Sequence, residues 1–187
     1  MTVLFISGST RKNSYNTKLV KFAYNYSLKI ALNSKIVNLN DFEIPIYNGD
    51  YENENGIPQD VKKLKQLFIS CKALYISTPE YNGFFSPLLK NTLDWLSRPE
   101  PGDEISLSAF KNKFASISAA SIGKFGGIRA LPHLRLLLNN LGVTISHYNI
   151  AIPFADKNFN QKGELKDENL KNALFNSINH LKILINE

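Results

Sequence analysis

Apolar residues alternate along the chain between short unbroken runs and stripes at helical spacing. Val3 to Ile6 is a run of strand length, and Leu19, Phe22, Ala23, Tyr26 and Ile30 then recur at helical intervals, which predicts a helix over roughly 14–32. Ser34 to Leu39 reads as a second strand. Asn40 to Gly56 is acidic and broken by Pro45, Gly49 and Gly56, and is expected to be a long loop. Pro58 suits a helix start, and Val61, Leu64, Leu67 and Phe68 give that helix one buried stripe. Ala73 to Ser77 is a third strand, apolar enough for the middle of a sheet. After a turn over 78–83, Pro87 to Ser97 reads as a helix, Phe114 to Ala120 as a fourth strand and Gly127 to Asn140 as a helix stopped by Gly142. Val143 to Ile152 is a fifth strand, and Leu170, Leu174, Ile178, Leu181 and Ile185 mark a last helix. Strands and helices alternating at this length call for a three-layer α/β sandwich around a parallel sheet.

In such a sheet, ligands settle beyond the strand ends where the strand order reverses. The turn after the first strand, Ser7 to Thr17, carries hydroxyls at Ser9, Thr10, Ser14 and Thr17, amides at Asn13 and Asn16, and one guanidinium at Arg11. Backbone N–H groups at the start of the following helix add partial positive charge, so this turn has the donors of an anion site. It holds neither G-x-x-x-x-G-K-[ST] nor G-x-G-x-x-G, which leaves a compact terminal monophosphate gripped by side chains. A turn that only caps its helix would use the same residue types, and that alternative stays open on this turn alone. Thr78 to Gly83 forms a second loop at the same sheet end, and strands 1 and 3 are neighbours in the order 2-1-3-4-5, so the two loops flank one crevice. Ser118, Ser121, Gly123, Gly126 and Gly127 crowd a third turn there, small enough for a planar ring to lie against the backbone.

The chain has 187 residues, 43% of them hydrophobic and 20% charged, which suits a single globular domain over 1–187. No apolar run reaches the length of about eighteen residues that a membrane span needs, and the first strand begins at once with no basic leader, so a cytoplasmic protein without membrane attachment is expected. The single cysteine, Cys71, reads as a buried structural thiol. A net charge of +6 is spread over every segment without an Arg-rich tract or nucleic-acid motif, so anionic small molecules suit the charge better than nucleic acid. One Cys and three separated His give no metal-ligand pattern. His133, His147 and His180 have no catalytic surroundings, and no G-x-S-x-G is present. The helix over 87–97 is apolar beyond one face, with Leu88, Leu89, Leu93, Trp95 and Leu96. That width predicts a contact with a second subunit, the alternative being cover from the chain's own loops.

Taken in order, Gly8-Ser9-Thr10-Arg11, Ser14, Asn16 and Leu19, Ile44-Pro45-Ile46-Tyr47, Pro79-Glu80-Tyr81-Asn82-Gly83, Leu89 to Trp95 with Arg98-Pro99, and Gly126-Gly127-Ile128-Arg129-Ala130 with His133-Leu134-Arg135 form a specific set. On these residues the chain resembles the NADPH-dependent FMN reductase family, flavodoxin-like flavoproteins that include quinone, azo-dye and chromate reductases. The resemblance implies a five-stranded parallel sheet with FMN at its switch point. It implies that Ser9, Arg11, Ser14, Asn16 and Thr17 hold the FMN phosphate, and that Pro79, Glu80, Tyr81, Asn82 and Gly83 line the ribityl chain and ring edge. The implied activity passes hydride from NADPH or NADH through FMN to a small electron acceptor such as a quinone, azo, nitro or metal-oxyanion compound, with no catalytic side chain, in a homodimer or homotetramer. A free-flavin reductase serving a monooxygenase and a flavodoxin-type carrier are the alternatives. The departures from the family pattern, Phe84-Phe85 and Ser118-Ala119-Ala120-Ser121, bear on the shape of the pocket and hence on the acceptor.

Overall fold

The apolar runs form the middle layer. In β1 (Thr2–Ser7) the four residues Val3 to Ile6 are all buried, with Leu4 and Ile6 in one core and Val3 and Phe5 in the other, so both faces of the sheet are covered. The computed structural model describes residues 2–103 and 105–186. Its main sheet is five-stranded and parallel, in the order β2-β1-β3-β6-β7, with β2 (Ser34–Val37), β3 (Cys71–Thr78), β6 (Lys113–Ala120) and β7 (Val143–Ile152). Counting only these strands, the order is the expected 2-1-3-4-5. Helices α1 (Tyr15–Lys29) and α7 (Glu168–Asn186) cover one face, while α3 (Gln59–Ser70), α4 (Pro87–Leu96) and α5 (Ala130–Asn140) cover the other. Among the described residues no helix is long and apolar enough to cross a membrane.

Three segments depart from expectation. The stretch over 40–56 is not all loop: a 3₁₀ turn over Leu39–Asp41 ends β2 early, and a short helix, α2 (Gly49–Asn55), follows. The Asn48 side chain accepts from the N–H groups of Asp50 and Tyr51, and Asp50 and Glu52 stand in the first turn, where the helix dipole favours acids. No residue of α2 is buried, so it lacks the apolar stripe by which helices are recognised. The second loop is a hairpin, β4 (Glu80–Tyr81) against β5 (Phe84–Phe85), whose central Asn82 and Gly83 have φ of 52° and 84°, the left-handed pair that a two-residue hairpin turn requires. A further short helix, α6 (Ala155–Asn158), follows β7.

The expectation that a second subunit covers Trp95 is corrected by the chain itself. Tyr47 and Tyr51 stand edge-on to the indole, its Nε1–H donates to the Pro45 carbonyl at 2.7 Å, and the ring is fully buried. Asn91 fastens the same segment, donating to Pro45 O at 2.8 Å and accepting from Tyr47 N at 2.7 Å. The apolar excess of α4 thus faces the 42–55 segment, a span too polar to announce itself as a cover.

Lys65, buried in α3, ties down the connection after α4. Its ammonium donates to Asp103 Oδ2 at 2.7 Å and to Arg98 O at 2.6 Å, with Glu100 Oε2 at 3.8 Å. Burial would raise the Asp103 carboxyl, but the Lys65 ammonium, the Glu100 N–H and the Ser108 hydroxyl outweigh it and hold Asp103 below its ordinary value. Where α3 passes into β3, burial pushes the Cys71 thiol up to about 11, as suits an unreactive packing residue.

A carboxyl depressed in the folded state stabilises it above the unfolded value of about 3.9, and that contribution fades as the pH falls through the lower folded value. Asp103→Asn should therefore cost about 3 kcal/mol at pH 7, where it leaves the buried Lys65 ammonium only the more distant Glu100 carboxylate as counter-charge. The gap between variant and wild type should close as the pH drops below about 4. Urea unfolding at pH 7 and at pH 3 checks both the size and the direction.

Candidate functional site

The site is built where β1, β3 and β6 end. Ser14 caps α1 in an extended conformation and accepts from the Thr17 N–H, so the helix starts with its first amides turned to the sheet end. Among the described residues the N–H groups of Tyr15 and Asn16 have no acceptor, as the first helical turn dictates. Asn16 is buried, and its carboxamide is spent inside the protein: Oδ1 accepts from Ala120 N at 2.9 Å and from Ser77 Oγ at 2.8 Å, and Nδ2 donates to Ala120 O at 3.1 Å. One side chain thereby bonds α1 to the ends of both β3 and β6.

The second loop is locked from two sides. Ser86 caps α4 and donates to Gly8 O, while Thr78 Oγ1 accepts from Ser86 N at 3.2 Å and donates to Pro79 O at 3.0 Å. Glu80 accepts from the Arg129 backbone N–H at 3.0 Å and from Arg129 Nε at 2.9 Å, which joins the hairpin to the third loop. In that third loop Gly126, at φ 62°, lies so close to its own neighbours that a Cβ would come within 2.7 Å of Ile152 C and Pro153 N. Its smallness serves the packing of the chain's own backbone rather than a ligand ring, which corrects the reason expected for it.

Between the loops lies a hollow of about 200 Å³ lined by Ser9, Arg11, Ser14, Asn16, Pro79, Glu80, Tyr81 and Ser121, and also by Tyr15, Ala120 and Ile122. Eight of the twelve expected site residues therefore meet at one place. Thr17 does not line it, because its hydroxyl is held beneath the turn by Ser7 Oγ at 3.0 Å and Ser9 O at 3.3 Å. Asn82 and Gly83 sit at the hairpin tip, where an added Cβ on Gly83 meets nothing within 4 Å. Ser118 is shut inside β6, fully buried with its hydroxyl toward Ile76 O at 3.4 Å, because the strand runs on to Ala120 before the third loop begins. Tyr15 and Ile122 went unread in the sequence, although Ile122 is an apolar residue between Ser121 and Gly123 and is 65% exposed. Of the two phenylalanines, Phe85 is buried and Phe84 lies over His133 on α5 at 4.5 Å.

The chemistry of the wall is that of an anion receptor. The Arg11 guanidinium is exposed, lies 6.0 Å from the Tyr15 ring centre and makes no ion pair among the described residues. Glu80 is the one carboxylate in the wall, and Arg129 neutralises it. Free hydroxyl, guanidinium and amide donors with no competing negative charge fit a terminal phosphate, and the exposed Tyr81 and Ile122 offer apolar surface for a ring beyond it.

A family profile described as NADPH-dependent FMN reductase matches residues 1–157. An NAD(P)H-dependent FMN reductase of Pseudomonas aeruginosa is 32% identical over 185 residues, covering 98% of this chain and 94% of the relative. A quinone reductase of Escherichia coli is 34% identical over 140 residues, covering 74% and 69%. Among solved structures, the flavoenzyme NAD(P)H:(acceptor) oxidoreductase FerB of Paracoccus denitrificans superposes with a TM-score of 0.82 at 27% identity, over 99% of this chain and 97% of its own.

Removing the Asn16 carboxamide tests how the loops are held. Asn16→Ala leaves Ser77 Oγ and both polar groups of Ala120 buried without partners and should cost about 2 to 3 kcal/mol in chemical unfolding. Hydrogen exchange at the Ala120 amide should speed up more than at Leu4, in the middle of β1.

Proposed function

The chain belongs to the NADPH-dependent FMN reductase family, and we propose that the hollow between its three loops is where this oxidoreductase takes the FMN phosphate. The observation that carries the proposal is the convergence of Ser9, Arg11, Ser14 and the unpaired Tyr15 and Asn16 amides on one wall free of uncompensated negative charge. Ser9, Ser14 and Arg11 would hold the phosphate. Thr17 and Asn16 act one step behind, Thr17 by fixing the Ser9 carbonyl and Asn16 by fixing the strand ends. Pro79 to Tyr81 on one side and Ser121 with Ile122 on the other would border the ring.

Bound FMN supplies the hydride chemistry, accepting from a nicotinamide and donating to an acceptor. The protein's part is position and field. The Glu80–Arg129 pair ties the second loop to the third, and Tyr81 and Ile122 would shield the ring edge from water. No side chain in the hollow is placed as an acid or base for this chemistry. The acceptor is a small molecule such as a quinone, azo, nitro or metal-oxyanion compound; of these, a quinone is what the Escherichia coli relative is named for. A basic net charge of +6 suits anionic substrates and disfavours the electron-carrier alternative, whose docking would call for an acidic face. The exposed Phe84, Phe125 and Ile128 support assembly as a homodimer or homotetramer, and a cytoplasmic location accords with reduced nicotinamide as the electron source.

Anaerobic addition of NADPH to FMN-loaded protein, with no second protein present, tests the reading. Rapid loss of the visible flavin absorbance, restored by a quinone, is the expected result, and persistence of the oxidised spectrum would refute it. Arg11→Ala should weaken FMN by about 1.5 to 3 kcal/mol, the worth of a charge-assisted contact, and riboflavin far less, because riboflavin lacks the phosphate. Calorimetric titration with both flavins checks the difference.

A further inference from the structure

His147 and His180 stand far apart in the sequence, but the fold brings them together. Their ring centres lie 4.5 Å apart, His147 on the edge strand β7 and His180 on α7. An irregularity in strand pairing makes this possible. Ala115 of β6 pairs with Ile145 and Ile117 with Asn149, so Ser146, His147 and Tyr148 stand opposite the single residue Ser116. A bulge of this kind re-aims side chains that would otherwise alternate between the faces of the sheet. Here three consecutive side chains reach one residue of the helix. Ser146 Oγ is 2.9 Å from His180 Nδ1, and the ring centres of His147 and Tyr148 lie 4.5 and 5.7 Å from that of His180.

The bulge is held in place from the opposite face of the sheet. Arg135 of α5 donates to Ser146 O at 2.7 Å, to Ile145 O at 3.4 Å and to Asn149 Oδ1 at 2.8 Å, while Tyr148 N donates to Ser146 Oγ at 3.3 Å. Ser146 is buried, so the hydroxyl that orients His180 is fixed, and Nδ1 of that ring is occupied. Nε2 is left as the nitrogen able to ligate, and a partner on the other ring nitrogen is how metal-binding imidazoles are oriented. The Tyr148 ring flanks His147 with its centre 4.2 Å away. His147 is exposed and His180 half-buried, so solvent reaches the pair. A bulge that only blunted an edge strand against pairing would need neither the histidine on α7 nor the buried hydroxyl behind it.

Ring separation bears on the ligand. An imidazole nitrogen sits about 2.0 to 2.1 Å from a bound transition metal, which puts two ring centres about 4.5 Å apart at a right angle and about 5.2 Å apart at the tetrahedral angle. The observed 4.5 Å matches the right angle, the cis arrangement of tetragonal copper(II) and nickel(II), rather than the tetrahedral angle of zinc. We propose that His147 and His180 together bind one divalent transition-metal cation of this tetragonal class, joining the edge strand to the last helix. Among the described residues no third His, Cys, Asp or Glu completes a cluster, so the remaining positions fall to water. His147 stands five residues before the end of β7, about 16 Å from it at the rise of a parallel strand, so this site is separate from the flavin crevice and independent of the reading given for it.

Copper(II) titrated into the oxidised full-length protein tests it, with calorimetry for affinity and electron spin-echo modulation for the ligands. The wild type should take up one copper per chain at its tightest site, and the modulation should show two equatorial imidazoles. His147→Ala should leave one imidazole and weaken that site about tenfold or more; because His147 is exposed, the substitution is compatible with the fold, which circular dichroism checks. Ser146→Ala keeps both imidazoles but removes the group that orients one of them, and should weaken the site by about tenfold, the lower end of what lost outer contacts cost a metal site. His133→Ala, remote in the fold and stacked near Phe84, should change nothing. A single imidazole on copper in the wild type overturns the proposal, as does a tightest site whose affinity survives His147→Ala or is lost in His133→Ala. Unchanged affinity in Ser146→Ala overturns the orienting role given to that hydroxyl.

Discussion

The crevice depends on one buried carboxamide. Parallel strands end with open backbone groups, and a parallel sheet that binds ligands at its strand ends must satisfy those groups without filling the space a ligand needs. Asn16 does this from the side, taking the Ala120 amide, the Ala120 carbonyl and the Ser77 hydroxyl into one planar group in the first turn of α1. An apolar residue there would leave the strand ends unpaired, and a longer polar one would enter the hollow. Asn16 belongs to the anion-binding turn by sequence but supports it from behind.

Charge in the site is arranged with similar economy. Glu80 is the one carboxylate that lines the hollow, and Arg129 holds it in a two-point contact. That leaves the Arg11 guanidinium and the α1 amides uncontested. It also ties the hairpin to the third loop through a charge-assisted pair. The basic excess of the chain is thus concentrated in effect wherever acids are already occupied by partners.

Much of this was legible in the residues. The strands were visible because sheet strands covered on both faces are continuously apolar, as Val3–Ile6 and Ala73–Ile76 are, and α1 and α7 because each buries one stripe. Helix α2 was hidden because it buries no residue and is held by its cap, its dipole and single contacts such as Tyr51 on Trp95. The crevice residues Ser9, Arg11, Ser14 and Glu80 were legible from their place after strands. Ser118 was misplaced because nothing in Ser118-Ala119-Ala120-Ser121 marks where the strand stops, and small residues fit a buried strand as well as a turn. The cover over Trp95 was illegible for a related reason: it is made by a backbone carbonyl, Pro45 O, and by tyrosines in a polar stretch, and neither leaves a periodic trace.

The bonds of Asn16 span 61 residues to Ser77 and 104 to Ala120. Long-range closures of this kind are slow, because the chain entropy of the enclosed loops must be overcome before the contact gives anything back. The Ser9–Arg11 turn is synthesised well before β6, yet its scaffold is complete only after β6 has been made and has docked against β3. During synthesis the site therefore stays open-ended for most of the chain's length, and a flavin present early would meet a helix start with no crevice around it. The capacity to bind arrives late and all at once, with the fourth strand of the sheet.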